Sequence, residues 1–254
     1  MRHVISVQDF SAEEIIDILD RAETMVEIAK GNDVSEILKG KVLAAIFFEP
    51  STRTRLSFET AMNRLGGGVI GFAGTEATSV VKGETLADTI RMVSGYADAV
   101  VLRHPREGAA KLATQFSDVP ILNAGDGAGQ HPTQTMLDLF TIRTELGRLE
   151  GLNISLVGDL RYGRTVHSLA IALAKFGNTI NLVSPEGLEM PGEVVDHLEG
   201  SGQFGVACHA PEEVISSTDI LYVTRIQKER FPDPVEYKKV AGKYLIDPEL
   251  VAQG

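Results

Sequence analysis

The chain has 254 residues, of which 43% are hydrophobic and 23% charged, enough to bury a substantial core as one large domain or two small ones. Its 35 acidic and 24 basic side chains give a formal net charge of −11, which disfavours nucleic acid or an anionic membrane as the main partner. The single Cys208 excludes an intrachain disulfide framework, suits a reducing cytosol and reads as a small buried hydrophobe. No basic head followed by an apolar core marks a signal peptide, and the apolar run at 42–48 is far too short to cross a bilayer.

Ser11-Ala12-Glu13-Glu14 has capping-box spacing, and Ile15, Leu19, Ala22, Val26 and Ala29 then recur at three and four until Gly31. This predicts an amphipathic helix. Residues 42–48 form a continuous apolar run of strand length, followed by Glu49-Pro50-Ser51-Thr52-Arg53-Thr54-Arg55, helix formers over 56–65 and Gly66-Gly67-Gly68. A buried parallel strand, a polar turn and a helix is the simplest reading. Ser51, Thr52, Arg53 and Thr54 then occupy the first helical turn, where N–H groups lack intrahelical partners and the helix dipole is positive. Two hydroxyl types and an arginine at such a place suit a phosphate dianion. The ordinary alternative is a capped helix carrying a solvated arginine. Arg53 and Arg55 lie two apart and cannot both face one ligand, so one of them has a structural or relay role.

A second short strand is predicted at 69–72. Residues 73–84 show no periodicity and read as a mobile loop. Leu86, Ile90 and Val93 mark a helix, and residues 98–102 a strand ending at Arg103-His104. Residues 107–117 look helical, 119–122 form a strand, and 125–129 a loop. Pro132 suits the first position of a helix running to Gly147, with the interdomain hinge in or beside it. Alternating strands and helices imply a parallel sheet, whose ligands sit at the carboxyl ends of strands, where Ser51, Arg103 and His131 all fall. Gln134 lies one helical turn beyond His131 and could face the same ligand.

A second unit opens with the strand at 152–157 and a glycine-bracketed turn (Gly158, Gly163) into a helix bearing Leu169, Leu173 and Phe176. A dinucleotide site is rejected, because Gly158-Asp159-Leu160 lacks the second glycine of that fingerprint. Strands near 179–183, 204–208 and 219–223 alternate with helices near 192–199 and 211–217. His3, His104, His167, His197 and His209 are assigned structural roles, and no nucleophile constellation surrounds Cys208.

Ser51-Thr52-Arg53-Thr54-Arg55 after an apolar strand resembles the carbamoyl-phosphate motif of the transcarbamoylases. Leu102-Arg103-His104-Pro105, Asn123-Ala124-Gly125-Asp126-Gly127, His131-Pro132-Thr133-Gln134, Gly158-Asp159-Leu160-Arg161-Tyr162-Gly163-Arg164-Thr165-Val166-His167 and Thr224-Arg225-Ile226-Gln227-Lys228-Glu229-Arg230 extend the match. Together they resemble the catalytic chains of the aspartate carbamoyltransferase family, from near the N-terminus to about Arg230. The resemblance implies an α/β fold of two Rossmann-like domains, each a parallel sheet flanked by helices. Residues 1–146 would bind carbamoyl phosphate and residues 147–254 aspartate.

The implied reaction is transfer of the carbamoyl group to L-aspartate, early in de novo pyrimidine synthesis, with no metal or organic cofactor. Arg53, Thr54, Arg103 and His131 would be catalytic. Ser51, Thr52, Arg53, Thr54, Arg103, His131 and Gln134 would hold carbamoyl phosphate, and Lys82, Arg164, Arg225 and Gln227 aspartate. In the family, the loop matching 73–84 reaches a neighbouring subunit's active site. It is one residue shorter here than in some members, which favours Lys82 over Ser79. A cytoplasmic homotrimer with shared active sites follows, with regulatory chains left open. Family members continue into a His-Pro-Leu-Pro segment that contacts the carbamoyl group and a last helix. This sequence stops at Gly254, before both, so a C-terminal truncation is expected. Ornithine carbamoyltransferase, whose Ser-Met-Gly signature does not occur here, and a non-catalytic anion-binding subunit are the alternatives.

Overall fold

The computed structural model describes residues 2–76, 78–127, 129–226, 237 and 246–254. The chain divides into two compact units, 1–137 and 138–254. In the first, α1 (Ala12–Thr24) and α2 (Val26–Lys30) precede β1 (Val42–Phe47), α3 (Thr52–Arg64), β2 (Gly68–Ala73), α4 (Leu86–Ser94), β3 (Ala99–His104), α5 (Ala109–Ala113) and β4 (Ile121–Asp126); the boundary falls within α6 (Pro132–Leu146). The strands pair in the order β2-β1-β3-β4, all parallel. Ahead of α1, Val4 adds a parallel bridge to Leu122 on β4.

The continuous apolar character of β1 has a direct cause, since both faces of this strand are covered. Ala44 and Ile46 pack with Ile90 and Val93 of α4 and with Ala110 and Ala113 of α5. Leu43, Ala45 and Phe47 turn the other way, towards Met62 of α3. Phe47 is 0% exposed, and each large side chain buried this way contributes about 1.5–3 kcal/mol. Helices on both faces of a parallel sheet leave the carboxyl strand ends as the free rim where the connecting turns gather.

The second unit repeats the architecture: β5 (Asn153–Gly158), α7 (Arg164–Ala174), β6 (Thr179–Val183), α8 (Gly192–Ser201), β7 (Phe204–Cys208) and β8 (Ile220–Thr224), ordered β7-β6-β5-β8 and parallel throughout. Nine successive residues of α7, Val166 to Ala174, are buried. Cys208 packs with Val157, Val183 and Val214, as a small hydrophobe does.

Five segments differ from their sequence readings. The helix expected over 11–31 breaks at Met25 into α1 and α2, although its capping box forms: Ser11 Oγ accepts from Glu14 N–H at 3.2 Å and Glu14 Oε2 from Ser11 N–H at 2.9 Å. The helix expected at 107–117 is only Ala109–Ala113, while the strand expected at 119–122 runs on to Asp126. Residues 211–217 form two 3-10 turns, because their hydrogen bonds close over three residues: Val214 N–H to Pro211 O at 3.1 Å and Thr218 N–H to Ile215 O at 3.1 Å. Within the expected loop at 73–84, Ser79–Lys82 forms another 3-10 turn.

Candidate active site

Helix α3 begins at Thr52 with Ser51 as its N-cap, in an extended conformation (φ −157°, ψ 108°), yet no side chain caps it and its first turn holds no acid. Helices α1 and α4 contrast with it. Ser11 and Thr85 cap them, and Glu13, Glu14 and Asp88 occupy their first turns. Amide donors and a positive dipole end are therefore left at the Ser51–Thr54 turn for an external anion. Thr52 and Arg53 are exposed, Ser51 and Thr54 half-buried. Arg53 makes no ion pair with a described residue, whereas Arg55 Nε donates to Glu59 Oε1 at 2.6 Å along the same helix. Arg55 is thus the arginine with the structural engagement.

The sheet register aligns the neighbouring strand ends. Phe47 is the Cα partner of Arg103, and His104 that of Asp126. Adjacent strands lie about 4.8 Å apart, so the turns after β1, β3 and β4 meet at one rim. Arg103 ties them together: Nη2 pairs with Glu49 Oε1 at 2.7 Å, and Nη1 donates to the Ala124 carbonyl at 3.2 Å. Its Nε is buried without a hydrogen-bond partner among the described residues. Glu49 went unread in the sequence, although an acid directly before Pro50 and an arginine-rich turn was a visible signal. Its carboxylate offsets the Arg103 charge, leaving Arg53 and the helix end as the uncompensated positive features of the turn.

His131 is 5% exposed. Its carbonyl accepts from Gln134 N–H at 3.0 Å and Thr135 N–H at 3.2 Å, so it caps α6, and the Thr133 hydroxyl lies 3.5 Å from its Nδ1. The approach to it is built on Asp126, 4% exposed. The Asp126 carboxylate accepts from Gln130 N–H (3.0 Å), Gly108 N–H (2.9 Å) and the Asn123 amide (3.0 Å), and that amide also donates to Ile5 O at 3.1 Å. Asn123 and Asp126 also went unread as supports; a carboxylate and an amide continuing a buried strand is the signal. His104 Nδ1 accepts from Arg106 N–H at 3.0 Å, and burial pushes its pKa down, which keeps it neutral. His3, His167 and His209 likewise bond the backbone.

In the second unit, Gly158 is the Cα partner of Thr224, so the turn leading to Arg164 lies beside the segment that begins at Arg225. Gly158 has φ 118°, and a Cβ there would meet Thr224 O at 2.1 Å. Only glycine allows these strand ends to approach so closely. Arg164 is half-buried at the start of α7 and Arg225 exposed. Asp159 is 0% exposed; Oδ1 accepts from Tyr162 N–H at 2.9 Å, and Oδ2 has no partner among the described residues. Tyr222 donates to Asp138 Oδ2 at 3.2 Å. Lys82 is exposed at the end of its 3-10 turn, with no hydrogen bond or ion pair to a described residue of its own unit. Gln227 lies outside the described residues.

Among the described residues no group of His, Cys, Asp and Glu could hold a metal, and no helix is long and apolar enough to cross a membrane. Two parallel-sheet units, with arginines and unpaired helix starts at the strand ends, define a two-domain α/β enzyme chain for small anionic substrates. Comparison with known proteins makes the assignment narrower. Residues 2–144 match the carbamoyl-P binding domain of aspartate/ornithine carbamoyltransferase, and residues 150–253 its Asp/Orn binding domain. The chain belongs to the aspartate/ornithine carbamoyltransferase family.

The aspartate carbamoyltransferase catalytic subunit of Methanococcoides burtonii is 58% identical over 249 residues, 98% of this chain and 80% of that one. The Methanothrix thermoacetophila subunit is 60% identical over 245 residues, 96% of this chain and 80% of that one. The structure of the M. jannaschii aspartate transcarbamoylase catalytic subunit has a TM-score of 0.90 at 54% identity, covering 99% of this chain and 82% of that chain. Aspartate transcarbamoylase from Trypanosoma cruzi, solved with carbamoyl phosphate and aspartate, has a TM-score of 0.90 at 40% identity, covering 100% and 82%.

Proposed function

We propose that this chain transfers the carbamoyl group of carbamoyl phosphate to the amine of L-aspartate, giving N-carbamoyl-L-aspartate and phosphate, early in pyrimidine synthesis. The observation that carries the site assignment is the α3 start, uncapped and free of acids, beside Ser51, Thr52, Arg53 and Thr54. Its amides, hydroxyls and guanidinium bind the phosphate, and Arg103 adds to the charge balance at the rim. The carbamoyl carbon arrives activated as a mixed anhydride, so the task is positioning and charge stabilisation. His131 donates to the carbonyl oxygen as negative charge grows there, assisted by Thr54 and Arg103. Gln134 holds the carbamoyl amide. The planar forks of Arg164 and Arg225 take the two carboxylates of aspartate, with Lys82 and Gln227 as further donors.

The uncharged amine attacks the carbonyl carbon, forming a C–N bond. The tetrahedral intermediate collapses by breaking the bond to the phosphate oxygen, which leaves with the electron pair and accepts the amine's proton. In functional terms the domains are residues 1–146 for carbamoyl phosphate and 147–254 for aspartate.

Incubation with carbamoyl phosphate and either aspartate or ornithine tests this reading. Carbamoyl-aspartate is expected; product from ornithine alone would overturn the substrate assignment, and binding without turnover would make the chain an anion-binding subunit. We further infer a cytoplasmic homotrimer in which Lys82 reaches a neighbour's site. Mixing inactive Lys82→Ala and Arg53→Ala chains should then restore part of the activity, and no restoration would refute the shared site.

A further inference from the structure

We propose that Tyr222 is a positioning residue for aspartate, its hydroxyl fixing the segment that carries Arg225 to α6, beside the start of α7 that carries Arg164; this rests on the function proposed above. Tyr222 lies on β8, three residues before Arg225, and is the Cα partner of Leu156 on β5. Its hydroxyl donates to Asp138 Oδ2 at 3.2 Å and lies beside the side chain of Thr165. Thr165 directly follows Arg164 in the first turn of α7. One phenol therefore ties β8 to the part of α6 that carries Asp138 and sits against the start of α7.

Packing alone does not account for the hydroxyl. A phenylalanine would fill the same volume, while the tyrosine brings a polar group and a carboxylate into a half-buried place, which costs solvation. What the bonds supply is orientation. Two planar guanidiniums can grip two carboxylates only while their backbones keep a set separation, and small displacements of such groups are expensive. Burial first, and then the Asp138 charge, push the Tyr222 pKa up to about 12. The hydroxyl thus keeps its proton at neutral and moderately alkaline pH.

The test is Tyr222→Phe in the full chain, assayed for carbamoyl-aspartate formation. KM for aspartate should rise about tenfold, the effect of losing a hydrogen bond to a charged partner, while KM for carbamoyl phosphate and the melting temperature hold. Asp138→Asn, which retains a carbonyl oxygen to accept from Tyr222, should keep the aspartate KM near the wild-type value, whereas Asp138→Leu should raise it. Calorimetric titration with succinate in the presence of carbamoyl phosphate reads the arginine pair without turnover and should weaken by a similar factor. Unchanged aspartate KM and succinate affinity in Tyr222→Phe would overturn the inference. So would a parallel rise of both KM values with a lowered melting temperature, the mark of a purely structural role. A wild-type chain that binds succinate but makes no carbamoyl-aspartate would instead sink the proposed reaction.

Discussion

Replacing Asp126 tests whether the turn leading to His131 is held by one carboxylate. That group is 4% exposed and accepts from the Asn123 amide, Gly108 N–H and Gln130 N–H at 3.0, 2.9 and 3.0 Å. Asp126→Ala removes the shared acceptor of all three donors, and a donor left unpaired in the interior costs about 1–3 kcal/mol. Gly108 and Gln130 are only partly shielded, so water can replace the lost acceptor there at about 1 kcal/mol each. The Asn123 amide keeps Ile5 O at 3.1 Å and Gln130 O at 3.3 Å as acceptors, so it loses about 1 kcal/mol. The sum is about 3 kcal/mol. Asp126→Asn keeps one acceptor oxygen but turns an NH2 group towards a donor, for about half that loss. Urea unfolding followed by circular dichroism measures it as a lowered midpoint at constant slope. Steady-state assays should show kcat down about 100-fold in Asp126→Asn, as expected when a catalytic group shifts by about 1 Å. An Asp126→Asn chain with wild-type midpoint and wild-type kcat would refute the anchoring argument.

Three further outcomes are expected. Arg53→Ala should lower kcat/KM by about 10²–10³-fold through lost phosphate contacts, yet alter unfolding free energy by less than about 0.5 kcal/mol, since Arg53 is exposed and unpaired among the described residues; paired kinetic and denaturation measurements check both halves. Gly158→Ala forces a Cβ to 2.1 Å from Thr224 O at φ 118° and should destabilise the second unit by at least about 3 kcal/mol, read as a lowered melting temperature. Tyr222 has its pKa raised from 10.0 to about 12, so its ionisation leaves stability unchanged below pH 10 and lowers it as the pH climbs to 12. Ultraviolet titration of tyrosine ionisation in wild-type and Tyr222→Phe chains should differ by one component near the upper value.

The parts of the fold that were legible are those whose signals are local. An apolar run bounded by a polar turn and helix formers marked β1 and α3 to within a residue or two, because burial on both faces leaves a short unbroken apolar run whose length and flanking turn identify a strand. The break at Met25 was not legible, since the apolar spacing runs straight across it while the hydrogen bonding does not. β4 was cut short for a different reason. Asn123, Gly125 and Asp126 carry turn chemistry, and only partners far along the chain, Ile5 O and Gly108 N–H, make them affordable inside a strand. That Ser51, Arg103 and the turn leading to His131 lie at or beyond the carboxyl ends of β1, β3 and β4 was legible from strand positions alone. The supports did not: Glu49 meets Arg103 across two strands, and Tyr222 meets Asp138 across 84 residues, distances at which residue spacing carries no information.

The unguarded first turn of α3 also bears on how the protein endures in its surroundings. A helix whose opening amides are completed by a metabolite is a folding element finished from outside, and the free energy of docking adds to that of the native state. At a donor concentration one hundred times its dissociation constant the gain is about 2.7 kcal/mol. Scarcity of the activated carbamoyl compound would therefore show twice: as idle enzyme, and as a chain that melts earlier and is cut sooner by proteases.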